Sequence, residues 1–209
     1  LVLVRTIENG VDKPNRVRWN STTFGPAGGF NTALVGANSI EVSETSSEPL
    51  TGGFVIGERA FLTRAHEILE LIPNDTDAVF SIESRVSGTG LISPYSVAVV
   101  ENTAFFIGSD NIYMFDGSSL RAIGDPVLDA VCPLFEARGN DQLRPIGVIY
   151  PRRGEYHLLL GFTNETIFVY DYLRQRWSER DMTPPGSAQD GPTTMGTVSA
   201  ALYSGALET

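Results

Sequence analysis

The sequence predicts an all-β protein built from a repeated, four-stranded antiparallel unit. Composition is the first reason: 21 Gly and 12 Pro among 209 residues, with only 19% charged residues, are typical of many short strands and tight turns. The distribution of apolar residues is the second, since they occur in short runs separated by turn residues. An internal repeat is the third, because AFLTRAHEI at 60–68 is echoed 44 residues later by AFFIGSDNI at 104–112.

The repeat occurs a third time along the chain. IYMFD at 112–116 matches IFVYD at 167–171, 55 residues later, and Arg121 then falls on Arg176. Repeat lengths of about 40–55 residues are those of β-propeller blades, each of which is a four-stranded sheet. The predicted fold is therefore a β-propeller, either a ring of about four blades closed by the two ends of the chain or a sector of a larger propeller.

The start of the chain is predicted to lie part-way through a blade. Residues 1–6 and 16–20 are predicted as the third and fourth strands of a blade whose first two strands do not precede them, and RVRW at 16–19 faintly echoes RQRW at 174–177. Residues 195–203 are a candidate for the first strand of that blade. We therefore treat 1–209 as a single propeller domain and expect it to be part of a longer polypeptide.

Three further blades follow in order. Residues 53–83 form one, in which the first strand is the least distinct. The next blade is predicted from apolar runs joined by Asn-, Asp- and Gly-containing turns, at 95–100, 103–107, 112–115 and 120–123. The last has its strands at 146–150, 156–161, 167–171 and 175–179. Between these two blades, 125–137 is helix-like, but Pro133 limits the helix to one or two turns.

Two segments outside the repeat are predicted as long surface loops. Residues 21–53 are rich in Ser, Thr, Gly and Glu, and 181–194 contain PPGSAQDGP. Each is either a solvated loop or an arm that docks onto a neighbouring subunit. The glycine cluster at 25–29 is not a phosphate-binding loop, because no Gly-Lys-Ser/Thr follows it.

The charge balance argues against several classes of function. With 15 basic and 25 acidic residues the net charge is −10, which opposes an electrostatic hold on nucleic acid or anionic membrane. No apolar stretch approaches the roughly 18 residues of a membrane span. The only cysteine, Cys132, excludes an intramolecular disulfide and a cysteine-based zinc site. Every basic residue except Lys13 is arginine.

No residues combine into a recognisable catalytic, cofactor or metal site. The only histidines are His66, in a predicted turn, and His157, on a predicted strand, so neither is expected to bind a metal or to complete a Ser/His/Asp triad. Asp75 and Asp77 are too few for a calcium loop. We predict no catalytic, cofactor-binding or metal-binding residues, and no cofactor.

Two aspartates that recur in the repeat offer one alternative function, that of an enzyme. Asp116 and Asp171 each follow an apolar strand, and propeller glycosidases use two carboxylates about 5–10 Å apart. A carboxylate that recurs at the same place in successive copies is more typical of a turn cap, which is our prediction for both. Arg121 and Arg176 recur in the same way and are predicted to form ion pairs between blades.

The two tryptophans offer a second alternative function, that of a binding protein. Trp19 and Trp177 are predicted to pack between blades. A sugar-binding platform is the other interpretation of the pair. It would make the chain a carbohydrate- or protein-binding propeller without catalysis.

Four short sequence motifs follow one another along the first half of the chain. They are NRVRWN at 15–20, GFVIGERAFL at 53–62, ISPYSVAVVENTAFF at 92–106 and NIYMFDG at 111–117. In order and spacing they resemble a propeller of tailed-bacteriophage virion proteins, which include the nozzle or packaged-DNA stabilisation proteins of short-tailed phages. The resemblance spans about residues 15–124.

This resemblance implies a non-enzymatic structural protein of the virion tail. It implies a homo-oligomeric ring that contacts other tail or portal-complex proteins, with DNA passing nearby without tight binding. The charge distribution agrees, since 21–84 carry 2 Arg and 9 acidic residues whereas 138–180 carry 7 Arg and 5 acidic residues. We therefore expect an acidic face toward the lumen and an arginine-rich blade against a neighbouring copy. A binding propeller or a propeller glycosidase is the alternative.

Overall fold

The computed structural model describes residues 2–20, 38–42, 48–74, 79–136, 145–160 and 166–181. These residues contain fifteen strands in four antiparallel sheets, one of three strands and three of four. The predicted all-β fold of four-stranded antiparallel blades is thus confirmed. The predicted strand 195–203, most of the predicted loops 21–53 and 181–194, and Asp75 and Asp77 lie outside the described residues.

Sheet 1 differs from its prediction. It consists of β1 (Val2–Glu8), β2 (Val11–Trp19) and β3 (Asn38–Glu41), with β2 in the centre. The prediction that 16–20 form the last strand of a blade is wrong, because β2 is paired on both sides. β3 lies within the predicted loop 21–53 and forms where Ile40 pairs with Val17 on the face that packs against sheet 2.

Sheets 2, 3 and 4 coincide with the three predicted blades, and each contains four consecutive strands. Sheet 2 comprises β4 (Gly52–Ile56), β5 (Arg59–Thr63), β6 (Glu67–Pro73) and β7 (Phe80–Ser87). Sheet 3 comprises β8 (Ala98–Val100), β9 (Thr103–Ile107), β10 (Ile112–Phe115) and β11 (Leu120–Ala122). Sheet 4 comprises β12 (Ile146–Tyr150), β13 (Glu155–Leu159), β14 (Thr166–Asp171) and β15 (Arg176–Asp181).

The internal repeat falls on equivalent strands. Phe61 and Phe105 lie on the second strands of sheets 2 and 3. The matching motifs IYMFD and IFVYD lie on the third strands of sheets 3 and 4. The N-terminal echo is not equivalent in this way, since RVRW at 16–19 is on the central strand of sheet 1 and RQRW at 174–177 enters an edge strand.

Three apolar clusters join the sheets in the order 1, 2, 3, 4. Val17 lies in the cluster between sheets 1 and 2. Between sheets 2 and 3, the ring centroids of Phe61 and Phe115 are 5.2 Å apart, and between sheets 3 and 4 those of Phe105 and Tyr156 are 5.4 Å apart. Burial of a large apolar side chain contributes about 1.5–3 kcal/mol, so contact between sheets is a major source of stability.

The first strands of sheets 2, 3 and 4 lie close together. β8 contacts both β4 and β12. Sheets 3 and 4 approach so closely at Gly147 that a Cβ there would lie 1.9 Å from the carbonyl oxygen of Ser96, to which the Tyr156 hydroxyl donates a hydrogen bond of 2.8 Å. The first strands are therefore interior and the fourth strands exterior, as in propeller blades.

The helix-like segment after sheet 3 forms a helix, but its nine residues exceed the predicted one or two turns. α1 (Leu128–Glu136) contains Pro133, and its Val131 packs into the cluster between sheets 3 and 4. Of the helices in the described ranges, none has the length and apolar character needed to cross a bilayer.

Candidate functional site

One end of the sheets carries a surface made of hairpin turns. In a four-stranded antiparallel sheet, the turn between strands one and two and the turn between strands three and four lie at the same end. In sheets 2, 3 and 4 the described turns at this end are 57–58, 101–102, 116–119, 151–154 and 172–175. We call this surface the turn face.

Contacts between neighbouring sheets join these turns into one surface. A Cβ at Gly57 of sheet 2 would lie 3.6 Å from the side-chain oxygen of Asn102 in the first turn of sheet 3. Arg121, on the outer strand of sheet 3, donates a hydrogen bond of 3.1 Å to Gln175 in the second turn of sheet 4. The turn face is thus continuous across the three sheets.

Sheet 4 supplies a cluster of arginines to the turn face. Its two turns pack together, since the Tyr172 N–H donates to the Gly154 carbonyl at 2.8 Å and a Cβ at Gly154 would lie 2.5 Å from the Leu173 side chain. The exposed arginines on or directly beside these turns are Arg152, Arg153, Arg174 and Arg176. We call these four residues the basic half of the turn face.

Described residues neutralise only part of this positive charge. Asp171 accepts a hydrogen bond of 2.8 Å from Arg174 and lies 4.0 Å from Arg176. In the part of the chain that the structure describes, neither Arg152 nor Arg153 has a carboxylate partner. Arg152 and Arg153 therefore have no counter-charge from these residues, although the Arg153 guanidinium lies over the Tyr150 ring, 5.4 Å from its centroid.

The turns of sheets 2 and 3 carry the opposite charge. Their exposed carboxylates are those of Glu58, Glu101 and Asp116, which we call the acidic half of the turn face. Arg59 lies near the Asp116 turn, but Glu70 holds its guanidinium at 2.7 Å. Apart from Arg121 of sheet 3, the exposed charges of the described turn face are thus positive on sheet 4 and negative on sheets 2 and 3.

Asp116 and Asp171 are turn caps, as the repeat predicts. Asp116 accepts the backbone N–H groups of Ser118 and Ser119 at 2.9 and 2.7 Å, and Asp171 accepts that of Arg174 at 2.8 Å. The bond from Ser119 above all lowers the pKa of Asp116, and the Arg174 side chain lowers the pKa of Asp171. A general acid of glycoside hydrolysis needs a raised pKa, so neither carboxyl has the environment of one.

Among the described residues, neither Arg121 nor Arg176 forms the predicted ion pair between blades. Arg176 approaches Asp171 of its own sheet, whereas Arg121 reaches sheet 4 but donates to the neutral amide of Gln175. The repeat places both arginines on outer strands. Their partners depend on the adjacent turn, where the residue within reach of Arg121 is a glutamine.

Both tryptophans pack between sheets, as predicted. Trp19 of sheet 1 is 3% exposed and meets Phe80 of sheet 2 edge-on, with ring centroids 5.0 Å apart. Trp177 of sheet 4 donates from its indole nitrogen to the carbonyl of Ile123 at 2.6 Å and packs on Tyr170. Neither indole therefore forms an open stacking platform for a sugar.

The histidines occupy the predicted turn and strand. His66 is exposed and hydrogen-bonds Glu48 at 2.6 Å, while His157 is buried on β13 and hydrogen-bonds Glu155 at 2.8 Å. Among the described residues, no three His, Cys, Asp or Glu side chains converge as metal ligands would.

A buried ion-pair network in sheet 2 is not apparent from the sequence alone. Glu70 on β6, with 9% of its side chain exposed, accepts hydrogen bonds of 2.7 and 2.8 Å from Arg59 on β5 and another from Arg85 on β7. The bond from Arg59 is the main reason that the pKa of Glu70 falls to about 2. The network ties three adjacent strands together.

A cleft of about 230 Å³ lies at the end of sheet 3 opposite the turn face, between α1 and the turn at 108–111. Its walls include Ile107, Asp110, Leu128 and the exposed Cys132. The volume falls below the roughly 300–1,000 Å³ of most small-molecule sites. The turn face is therefore the stronger candidate for a functional surface.

Comparison with known proteins adds no assignment for this surface. No protein-family model and no curated protein matches the chain.

Proposed function

We propose that this chain is a non-enzymatic structural subunit of a tailed-phage virion, part of the tail nozzle or of the head-to-tail conduit through which DNA passes. The proposal rests on the positions in the fold of the four sequence motifs that carry the resemblance. They lie on β2, on β4 and β5, around β8 and β9, and on β10, in three consecutive sheets. Several motifs that occur in the same order across adjacent blades support a shared architecture better than one matching hairpin motif would.

The charge of the chain suits a conduit wall. Each phosphate that a protein neutralises releases counterions and adds affinity for DNA, so a basic wall would retain the duplex. The net charge of −10 opposes such retention. In the proposed role, copies form a ring, other tail or portal-complex proteins bind that ring, and DNA passes its acidic surface.

The alternative functions have weaker support. A sugar-binding platform would use Trp19 and Trp177, which are engaged between sheets. A glycosidase would use Asp116 and Asp171, whose pKa values are lowered by the bonds of their own turns. The structural role requires neither an open indole nor a protonated carboxyl.

The proposal is tested by DNA binding and by the genes beside the coding sequence. Fluorescence anisotropy with a labelled duplex at about 150 mM salt is expected to give a dissociation constant no tighter than the roughly 10⁻⁴–10⁻⁶ M of non-specific binding. The neighbouring genes are expected to include those for a portal protein and a terminase. Nanomolar duplex binding, or neighbours that all encode sugar-utilisation enzymes, would contradict the proposal.

A further inference from the structure

Within one copy, the described residues show no ion pair between the two charged halves of the turn face. In the described part of the chain, the carboxylate nearest the basic half is Asp171, which belongs to sheet 4 itself. No ion pair between described residues links the arginines at 152 and 153 to Glu58 or Glu101. Arginine forks and carboxylates form strong paired hydrogen bonds, so each half offers what the other lacks.

An exposed apolar side chain lies within the basic half. Leu173 is 70% exposed, and its inner side rests on Gly154, where a Cβ would leave it no room. Arginines around an apolar contact are typical of protein–protein interfaces, which are enriched in Arg and have a desolvated centre. The basic half thus has the composition of a docking surface for a protein.

Nucleic acid is a poor match for the same surface. A duplex lying on the basic half would bring its phosphates toward the carboxylates of Glu58, Glu101 and Asp116 on the continuous turn face. A second copy of the chain would instead present carboxylates to the arginines and arginines to the carboxylates. Charge complementarity therefore favours a second copy as the occupant.

We infer that the turn face joins copies of this chain, with the basic half of one copy against the acidic half of another. The inference rests on the proposed function, which requires contacts between copies, and it names the surface that makes them. Because unlike halves meet, the contact either closes when two copies engage each other twice or continues from copy to copy into a ring.

Paired charge reversals test the inference. The basic-reversed variant is Arg152→Glu/Arg153→Glu, and the acidic-reversed variant is Glu58→Arg/Glu101→Arg. A matched control, Arg5→Glu/Lys13→Glu, makes the same change of net charge as the first variant but on sheet 1. Sedimentation velocity on the full chain at about 50 mM salt gives the self-association constant of each protein, and an equimolar mixture of the two reversed variants is measured beside them.

We expect each reversed variant to associate at least about tenfold more weakly than the unmodified chain, because reversal places like charges opposite each other. The mixture should regain association, and the control should match the unmodified chain. Association that ignores both reversals, or a mixture that stays monomeric, overturns the inference while leaving the proposed conduit role intact. An unmodified chain that stays monomeric contradicts both the inference and the proposed ring.

Binding to a labelled DNA duplex separates the remaining possibility. If the basic-reversed variant loses duplex binding but associates as the unmodified chain does, the arginines serve nucleic acid and the inference is wrong. Circular dichroism of every variant confirms that the sheets are retained.

Discussion

Replacing Glu70 by glutamine should destabilise the chain strongly at neutral pH and hardly at all in acid. Glu70 is almost fully buried and accepts hydrogen bonds from the guanidinium groups of both Arg59 and Arg85. Glutamine has nearly the same shape but carries no charge, and its NH₂ group faces donors instead of accepting from them. The substitution thus removes the charge of the network while preserving its packing.

The magnitude follows from the pKa of Glu70. The hydrogen bond from Arg59 is the main cause of its fall from 4.5 to about 2. Since the folded-state value is the lower one, the ionised side chain stabilises the fold above about pH 4.5, and this contribution is lost as the pH falls toward 2. A tenfold change in an acid dissociation constant corresponds to about 1.4 kcal/mol, and the partial exposure of both arginines reduces the effect, so we expect a loss of about 2 kcal/mol at pH 7.

Urea unfolding of the unmodified chain and of Glu70→Gln at pH 7 and at about pH 2.5 measures this difference. The difference in the free energy of unfolding should be about 2 kcal/mol at pH 7 and well under about 1 kcal/mol in acid. The control is Glu83→Gln, which removes an exposed carboxylate 3.1 Å from Arg85 and should cost about 0–1 kcal/mol. Equal differences for Glu70→Gln at both pH values would refute an electrostatic origin.

Three further predictions concern the contacts between sheets and the turns. Gly147→Ala should cost about 3 kcal/mol in urea unfolding, because its Cβ would overlap the Ser96 carbonyl oxygen; a cost under about 1 kcal/mol would show that sheets 3 and 4 separate easily. Trp177→Phe should cost about 1–2 kcal/mol through loss of the indole hydrogen bond to Ile123, and no loss would mean that the bond is dispensable. Asp116→Ala should lower the free energy of unfolding by about 1 kcal/mol and Asp116→Asn by less, since asparagine can still accept the two backbone bonds; equal losses would argue against a capping role.

Much of the fold can be predicted because the strands repeat and are bounded by strong turn signals. The apolar runs predict strands at 103–107 and 112–115. β9 and β10 have these same bounds. Their apolar residues face neighbouring sheets on both sides, so the short apolar runs stand out between the turns at Glu101 and Asp116. Local pattern and tertiary packing agree here.

β3 is not predicted from the sequence, because the strand pairing that forms it is not local in the chain. NSIE at 38–41 has one strongly apolar residue, and it becomes a strand by pairing with the free edge of β2. The same limit applies to side-chain partners. The repeat places Arg121 on an outer strand, but its bond to Gln175 depends on how two sheets meet.

The turn face shows a different kind of limit. Glu101 and Arg152 stand in segments that the sequence already predicts as turns between strands one and two of their blades. Their common placement at one end follows from antiparallel order alone, so the sequence contains this signal. What the sequence lacks is the contact between turns, such as Leu173 against Gly154, that makes separate charges into one surface.

Locating the chain in the particle tests the central claim most directly. Tailed-phage virions from a stock that carries the gene are purified, labelled with gold-conjugated antibody against this chain and viewed by electron microscopy. Label is expected at the tail or at the vertex where the tail joins the head, in particles that also contain the chain by mass spectrometry. Infected cells that make the chain, together with purified particles that lack it, would contradict the account.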